Sequence, residues 1–290
     1  MSAKDYRRKL YGLPYLLPAG AVYLVFFLAP TLFSFFFSFT RWTLFDWDFI
    51  GLENYATFFQ EGSLSIGFTN TLVYSFLTAG LKVVFGFLLA AYLSGDIKFV
   101  GTLRSIVFFP VILSTIAIGI TFSSLMHPSR GLINHVLGFF GIHGPSWLGN
   151  PRLALYSVIM VDVWKGVGLA TIIYMAGIKA IPEEYYEALA IDGGGRWEKL
   201  VHITLPLSRS AMNSVIVLAL IGGMRTFDLV WAMTRGGPGF STDLIASIIY
   251  KQYQGGFFGL ATAGNVILFL MVALIAMPLF RLLTSREVHL

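Results

Sequence analysis

Long apolar runs alternate with short polar stretches along the whole chain. A run of roughly 20 mostly apolar residues can cross a bilayer as a helix. Segments at about 11–39, 68–94, 103–126, 152–178, 207–231 and 261–283 meet that requirement. The first contains Pro14, Pro18 and Pro30, so its beginning is expected to be interfacial or kinked. No separate soluble module or low-complexity tract interrupts the pattern. It predicts an all-α, polytopic membrane protein with six transmembrane helices in one domain, residues 1–290.

Composition agrees with that pattern. The 290 residues are 56% hydrophobic and 12% charged, whereas ordinary soluble domains are about one-quarter charged. The formal net charge of +5 would suit a nucleic-acid binder, but the placement of the cations points to insertion topology instead. With the N-terminus inside, the inner flanks hold Lys4, Arg7, Arg8, Lys9, Lys98, Arg104, Lys179, Arg196, Lys199, Arg209, Arg281 and Arg286. The outer flanks hold only Arg41, Arg130, Arg152, Arg235 and Lys251. This asymmetry places both termini in the cytoplasm and argues against nucleic acid as a partner. There is no cysteine, so disulfide and thiol chemistry are excluded. The outer stretches 41–67 and 127–151 are long and rich in aromatic residues, suited to capping the membrane domain or receiving an external partner.

One polar insert stands out between the fourth and fifth runs, "EALAIDGGGRWEKLVHITLP" from Glu187 to Pro206. Pro182 suits a first helical position, and Glu183 and Glu184 suit the positive end of a helix dipole. Ile181, Tyr185, Ala188 and Leu189 share one face at helical spacing, and Gly193 with its neighbours stops the helix. The expected product is a short amphipathic helix of about 16 Å, then a second from Arg196 to about Thr204. Such a helix either lies on lipid headgroups or docks into a groove on a cytoplasmic protein.

The insert resembles the EAA loop of binding-protein-dependent ABC importer permeases. That pattern reads E-A-A, three residues, G, nine residues, then I-x-L-P. Glu187, Ala188, Gly193, Ile203, Leu205 and Pro206 match it in register, while Leu189 replaces the second alanine and Gly194 a frequent alanine. "FIGLENY", "RSIVFFP", "GLINHVLG" and "TRGGPGFSTDLIASIIYKQY" extend the likeness to the carbohydrate branch, which includes maltose permeases of the F type and glycerol-3-phosphate permeases of the A type. The resemblance implies a type I ABC importer permease fold with a cytoplasmic coupling helix in the loop 179–206. It also implies a second homologous permease subunit, an ABC ATPase dimer carrying ATP and Mg, and an external solute-binding protein delivering a sugar. Coupling would rest on Glu187 facing a basic group of the ATPase, with Ala188 beside it, Gly193 permitting the turn, Asp192 capping or bracing it, and Pro206 opening the next span. In that family the fourth and fifth spans line the sugar path, which here implicates Lys165, Gly166, Leu169, Ala219, Gly222, Gly223 and Thr226.

Charges inside the apolar runs are a second signal. Each costs about 2.5–3.5 kcal/mol at a bilayer centre on insertion scales. Asp162 and Lys165, three apart on one helix, are placed to neutralise each other, whereas Lys82 needs a partner from another helix or a wet cavity. Arg225 and Asp228 form a similar pair near the outer edge, where snorkelling would also serve. Lys82, Asp162, Lys165 and Asp228 are therefore substrate-path candidates, with a structural ionic clasp as the alternative. Gly222 and Gly223 either leave room for a solute or allow close helix packing. Lysines near the path make an acidic or phosphorylated sugar, such as a glycerol phosphate or uronate oligosaccharide, the alternative cargo.

Catalysis finds no support. "GGGRWEK" and "GGPGFST" lack the Lys-Ser or Lys-Thr of a phosphate-cradling loop. His127, His135, His143, His202 and His289 form no metal or hydrolase motif. The expectation is a permease subunit that binds no cofactor or metal of its own, not a passive channel or an intramembrane enzyme.

Overall fold

The computed structural model of the chain describes residues 13–285, apart from Leu44 and Asp96. Lys4, Arg7, Arg8, Lys9 and Arg286, which carry part of the orientation argument, lie outside the described residues, as does His289. In chain order the main elements are α1 (Leu17–Phe37, with a π turn at Leu24–Leu28), the hairpin strands β1 (Thr40–Trp42) and β2 (Trp47–Phe49), α2 (Glu53–Gln60) and α3 (Gly62–Leu93). There follow α4 (Val100–Ile112), α5 (Thr115–Leu125), α6 (Leu132–Phe139), α7 (Ala154–Lys179) and α8 (Glu183–Ile191). The chain continues through α9 (Arg196–Leu207, with a π stretch at Lys199–Thr204), α10 (Arg209–Met224), α11 (Asp228–Met233), α12 (Ile245–Gln254) and α13 (Phe258–Thr284). Helices dominate because hydrocarbon offers backbone groups no partner, so each span must satisfy its own.

Among the described residues, α1, α3, α7 and α13 are straight enough, long enough and apolar enough to cross a membrane singly. The expected third span is a bent pair, and the fifth follows the short loop helix expected before it at a sharp angle. α4 and α5 meet at 98°, and α9 and α10 at 68°. At the first break Leu113 and Ser114 are extended, and the Ser114 hydroxyl caps α5 by accepting from the Ala117 amide at 3.5 Å. At the second, the chain breaks at Ser208, after Pro206 rather than at it. The fifth span is also shorter than its hydropathy suggests. α10 stops at Met224, and α11 is a separate turn after Arg225–Phe227.

The described residues group into two compact units. One joins Ile249–Ile267 to the described residues up to Gln60. Within it the hairpin pairs Thr40 with Phe49, Arg41 with Asp48 and Trp42 with Trp47. Buried Asn54 donates to the carbonyls of Ser38 and Thr40 at 2.9 and 2.8 Å, which pins α2 beneath the hairpin. Trp42 stacks on Phe37 at 4.2 Å and meets Phe258 at 5.5 Å. Thus ring contacts hold the aromatic stretch after the first span to its own helices. No residue in the apolar window of α1 is buried, and its Phe and Leu side chains present a surface suited to lipid.

The other unit comprises Glu61–Ile248 and the described residues from Leu268 onward. α3 and α7 form its centre and run the same way. Gly86 packs on Ala170, where an added Cβ would come within 2.7 Å of the alanine Cβ, and Phe87 meets the edge of Tyr174 at 5.5 Å. Small residues make further close approaches. Gly168 of α7 lies against the Val107 carbonyl of α4, and a Cβ on Gly177 would sit 2.5 Å from Ala211 of α10. Lipid tails are as apolar as leucine, so such helices associate through close packing and polar contacts. A second apolar cluster joins Tyr74, Ile118, Val158, Leu229, Val230 and Leu244, and holds α5 and α11 against α3 and α7.

Gly80 has open space where a side chain would begin, whereas Gly168 faces backbone. Gly80→Ala is therefore expected to be neutral or stabilising by a few tenths of a kcal/mol up to about 1. Gly168→Ala should cost ~1–3 kcal/mol by overpacking. Thermal unfolding of the two purified variants in one detergent checks the contrast.

Candidate transport pathway and coupling loop

The loop between α7 and α9 is built around α8. Pro182 is the extended residue before it, and Glu183 and Glu184 occupy its first turn, where the helix dipole favours them. The helix closes with a paired C-terminal motif. The Gly193 amide donates to the Ala190 carbonyl at 3.1 Å, and the Gly194 amide to the Leu189 carbonyl at 2.9 Å. Gly193 sits at φ +77°, a left-handed conformation suited to glycine. The following turn begins with the Gly195 amide donating to Glu198 Oε2 at 3.0 Å.

The apolar stripe expected on this helix is divided. Ile181 is buried before the helix begins and Leu189 is half-buried, but Tyr185 and Ala188 face outward. The inward anchor is Tyr186. Its hydroxyl lies 3.3 Å from Thr204 Oγ1, and Lys199 Nζ sits 4.3 Å over its ring. Glu187 and Asp192 are exposed, and neither carboxylate has an ion pair or hydrogen bond among the described residues. The expected brace by the Asp192 side chain is therefore absent; Asp192 takes the C-cap position through its backbone. Ile191, one helical turn beyond Glu187, is 87% exposed, and Trp197 further along the loop is 69% exposed. The outward face of the loop thus combines a free acid with uncovered apolar side chains.

Leu189 and Gly194 are coupled. A Cβ on residue 194 would fall 2.5 Å from Leu189 Cγ and 2.6 Å from its Cδ1. The larger side chain occupies the space that an alanine at 194 would need.

In the second site, Lys82 Nζ of α3 lies 2.7 Å from Asp162 Oδ2 of α7, with the two side chains only 12% and 16% exposed. The expected pairing of Asp162 with Lys165 is therefore corrected: the partner comes from the neighbouring helix, and Lys165 has no ion pair among the described residues. Parallel packing of α3 on α7 overrides the local i,i+3 option. Gly166 makes the approach possible, since a Cβ there would sit 2.5 Å from Lys82 Cε and 2.9 Å from Nζ.

Other hydroxyls of α3 extend this polar region. Tyr74 is fully buried with its hydroxyl toward Asp162 and Thr226, although no hydrogen bond of good geometry forms. Gly223 packs on Ser75 and Thr78, where a Cβ would come within 2.8 Å of Ser75 Cα and 2.9 Å of Thr78 Oγ1. Its neighbour Gly222 is exposed and has open space at the Cβ position. Close helix packing is thus seen at Gly223, while Gly222 is left open. Thr226 donates to the Gly222 carbonyl at 3.0 Å, Ala219 is half-buried and Leu169 is exposed. Arg225 and Asp228 are exposed and do not form the expected ion pair, because the helix ends between them.

Tyr74, Ser75 and Thr78 were not expected. Their signal lies in the sequence as hydroxyl residues at helical spacing, with Thr71 and Tyr74 or Ser75 leading to Thr78 and Lys82. Among the described residues no group of His, Asp and Glu is arranged to hold a metal.

These features define a multi-pass membrane transport subunit. Residues 82–288 match the family of binding-protein-dependent transport system inner membrane components, and the chain belongs to that family. It is 32% identical to the trehalose/maltose transport system permease protein MalF of Thermococcus litoralis over 273 residues, covering 93% of this chain and 92% of the relative. It is 29% identical to the multiple sugar-binding transport system permease protein MsmF of Streptococcus mutans, covering 99% and 100%. Its fold is similar to that of a chain in a bacterial ABC transporter involved in the import of the acidic polysaccharide alginate. The TM-score is 0.87 at 23% identity, covering 98% of this chain and 99% of that one.

Breaking a buried ion pair from one side leaves a charge without its partner, which typically costs ~3–5 kcal/mol. Lys82→Met and Asp162→Leu are each expected to lower the thermal stability of the purified protein strongly. The double variant should recover most of the loss. A double-mutant cycle from melting curves checks this; additive losses would contradict it.

Proposed function

We propose that this chain is one of two homologous permease subunits of an ABC importer for a sugar or oligosaccharide, delivered by an external solute-binding protein. An ABC ATPase dimer supplies the energy and holds the ATP and Mg; the chain itself carries no cofactor. Residues 1–290 act as one permease domain in the cytoplasmic membrane, with both termini and α8 on the cytoplasmic side. The observation that carries the reading is the α8 loop: the unpaired Glu187 carboxylate one turn from exposed Ile191, held by the left-handed turn at Gly193, with Trp197 exposed further along the same loop. A free acid one turn from an exposed apolar side chain suits docking into a protein groove that offers a basic group.

Carbohydrate as cargo is supported by the names of the relatives, which include an arabinooligosaccharides transport system permease of Bacillus subtilis, 32% identical over 276 residues. An anionic or phosphorylated cargo is not favoured. The relatives' names point to sugars in general, and of the two lysines near the path Lys82 is neutralised by the Asp162 carboxylate, which leaves Lys165 alone to favour an anion. Transport proceeds by alternating access: closure and reopening of the ATPases would move α8, and α7 and α10 would change the exposure of the path beside Leu169, Ala219 and Gly222.

The natural chain has no cysteine, so single-cysteine labelling is direct. A cysteine at Ile191 should react with an impermeant maleimide only in inverted vesicles, and bound ATPase should protect it. Glu187→Lys and Gly193→Asp should leave membrane insertion intact. Sugar uptake should fall by about tenfold or more, the effect of ~1.4 kcal/mol on a rate. Labelling of Ile191→Cys from the cell exterior, or uptake at the natural rate in both variants, would overturn the coupling role.

A further inference from the structure

A cleft of about 270 Å³ lies between α4 and α7 where α3 ends. Its lining includes Leu93, Arg104, Val107, Phe108, Ile172 and Met175. α3 and α7 run parallel, so Leu93 is at the same end of the bundle as the junction of α7 with α8. Arg104 falls in the second turn of α4, about 6 Å from the start of that helix. That is the depth of a headgroup and the first carbons below it, not of the bilayer centre.

The cleft is apolar except at one place. Ser105 and Thr171 also line it, but their hydroxyls donate to carbonyls of their own helices, Gly101 at 3.1 Å and Val167 at 2.8 Å. Arg104 differs. Its Nη2 donates to the Leu93 carbonyl at 2.6 Å, its Nε is buried without a partner, and no carboxylate pairs with it among the described residues. The Ser94 hydroxyl, next along the chain from Leu93, is likewise buried without a partner. A guanidinium offers five donors in a planar fork that matches phosphate oxygens. Beyond the cleft, Ile106 and Phe109 of α4 are exposed apolar side chains.

We propose that this cleft binds an anionic phospholipid, with the phosphate held by Arg104 and the first part of an acyl chain between α4 and α7. A sugar is a poor fit because its hydroxyls would meet apolar side chains. A phospholipid matches the single cation, the apolar walls and the depth together. The proposal needs only that the chain spans a membrane and does not depend on the direction of transport or on the cargo.

The test is native mass spectrometry of the permease complex released from nanodiscs of equal parts phosphatidylglycerol and phosphatidylcholine. The natural protein should retain phosphatidylglycerol in preference. Arg104→Gln should reduce that retention about tenfold, the loss of one charge-assisted contact, and Arg104→Lys should restore part of it. Arg104 also holds the end of α3, so Ile172→Trp, which fills the mouth of the cleft and leaves the cation in place, is the second variant. It should reduce retention of both lipids. Retention of phosphatidylglycerol at the natural level in Ile172→Trp and in any folded Arg104→Gln protein would overturn the proposal. So would an efficient cross-link from a cysteine at Ile172 to the second permease, because the cleft would then hold protein.

Discussion

The parallel contact between α3 and α7 sets the positions on which the rest of the larger unit depends. In lipid there is little hydrophobic gain in bringing two apolar helices together, so their register must be fixed by shape and by polar pairing. Both are present along one line. Lys82 lies over Gly166, Gly86 on Ala170 and Phe87 against Tyr174. Sliding one helix by a turn would move Lys82 about 5.4 Å from its carboxylate and leave two charges in an apolar setting. The ion pair is thus a device for register more than a source of net stability. Once it is fixed, the hydroxyl face of α3 is aimed: Ser75 and Thr78 receive Gly223, and Tyr74 faces Asp162 and Thr226.

The same unit ties the exposed loop to the spans that carry this polar region. α8 follows α7 after a short turn in which Ile181 is buried, and Tyr186 reaches Thr204 of α9. Ile203 and Thr204 are themselves buried, so α9 is anchored where Tyr186 touches it. Beyond the break at Ser208, α10 packs Ala211 against Gly177, near the end of α7. A displacement of α8 therefore has two material routes inward, through α7 toward Asp162 and through α9 and α10 toward Gly222 and Thr226. The breaks at 98° and 68° lie in other spans than the straight α3 and α7, so bending and register are assigned to different helices.

The sequence made the membrane class legible because hydropathy over 20 residues survives any detail of packing. It did not show that the run 103–126 is two helices, since Leu113 and Ser114 are no less compatible with an apolar run than their neighbours. The local cues were Pro110 and the cap at Ser114, and both are weaker than the hydropathy around them. The loop was legible because its turn depends on local chemistry: Gly193 is needed at φ +77° wherever the rest of the chain goes. The partner of Lys82 was not legible, as Asp162 is 80 residues away along the chain. Lys165 was the nearer candidate, and tertiary packing outweighed that proximity.

The two departures of the loop from the EAA pattern are one physical change. Leucine at 189 adds bulk on one side of the turn, and glycine at 194 removes it on the other, at the point where the Leu189 side chain lies. The backbone bonds that close α8 run from the amides of Gly193 and Gly194 to the carbonyls of Ala190 and Leu189, and involve neither side chain. The path of the chain and the outward position of Glu187 are therefore indifferent to where that bulk sits. In this chain the loop is a left-handed stop behind an exposed, unpaired carboxylate, with the space at the turn filled by Leu189 rather than by a side chain at 194.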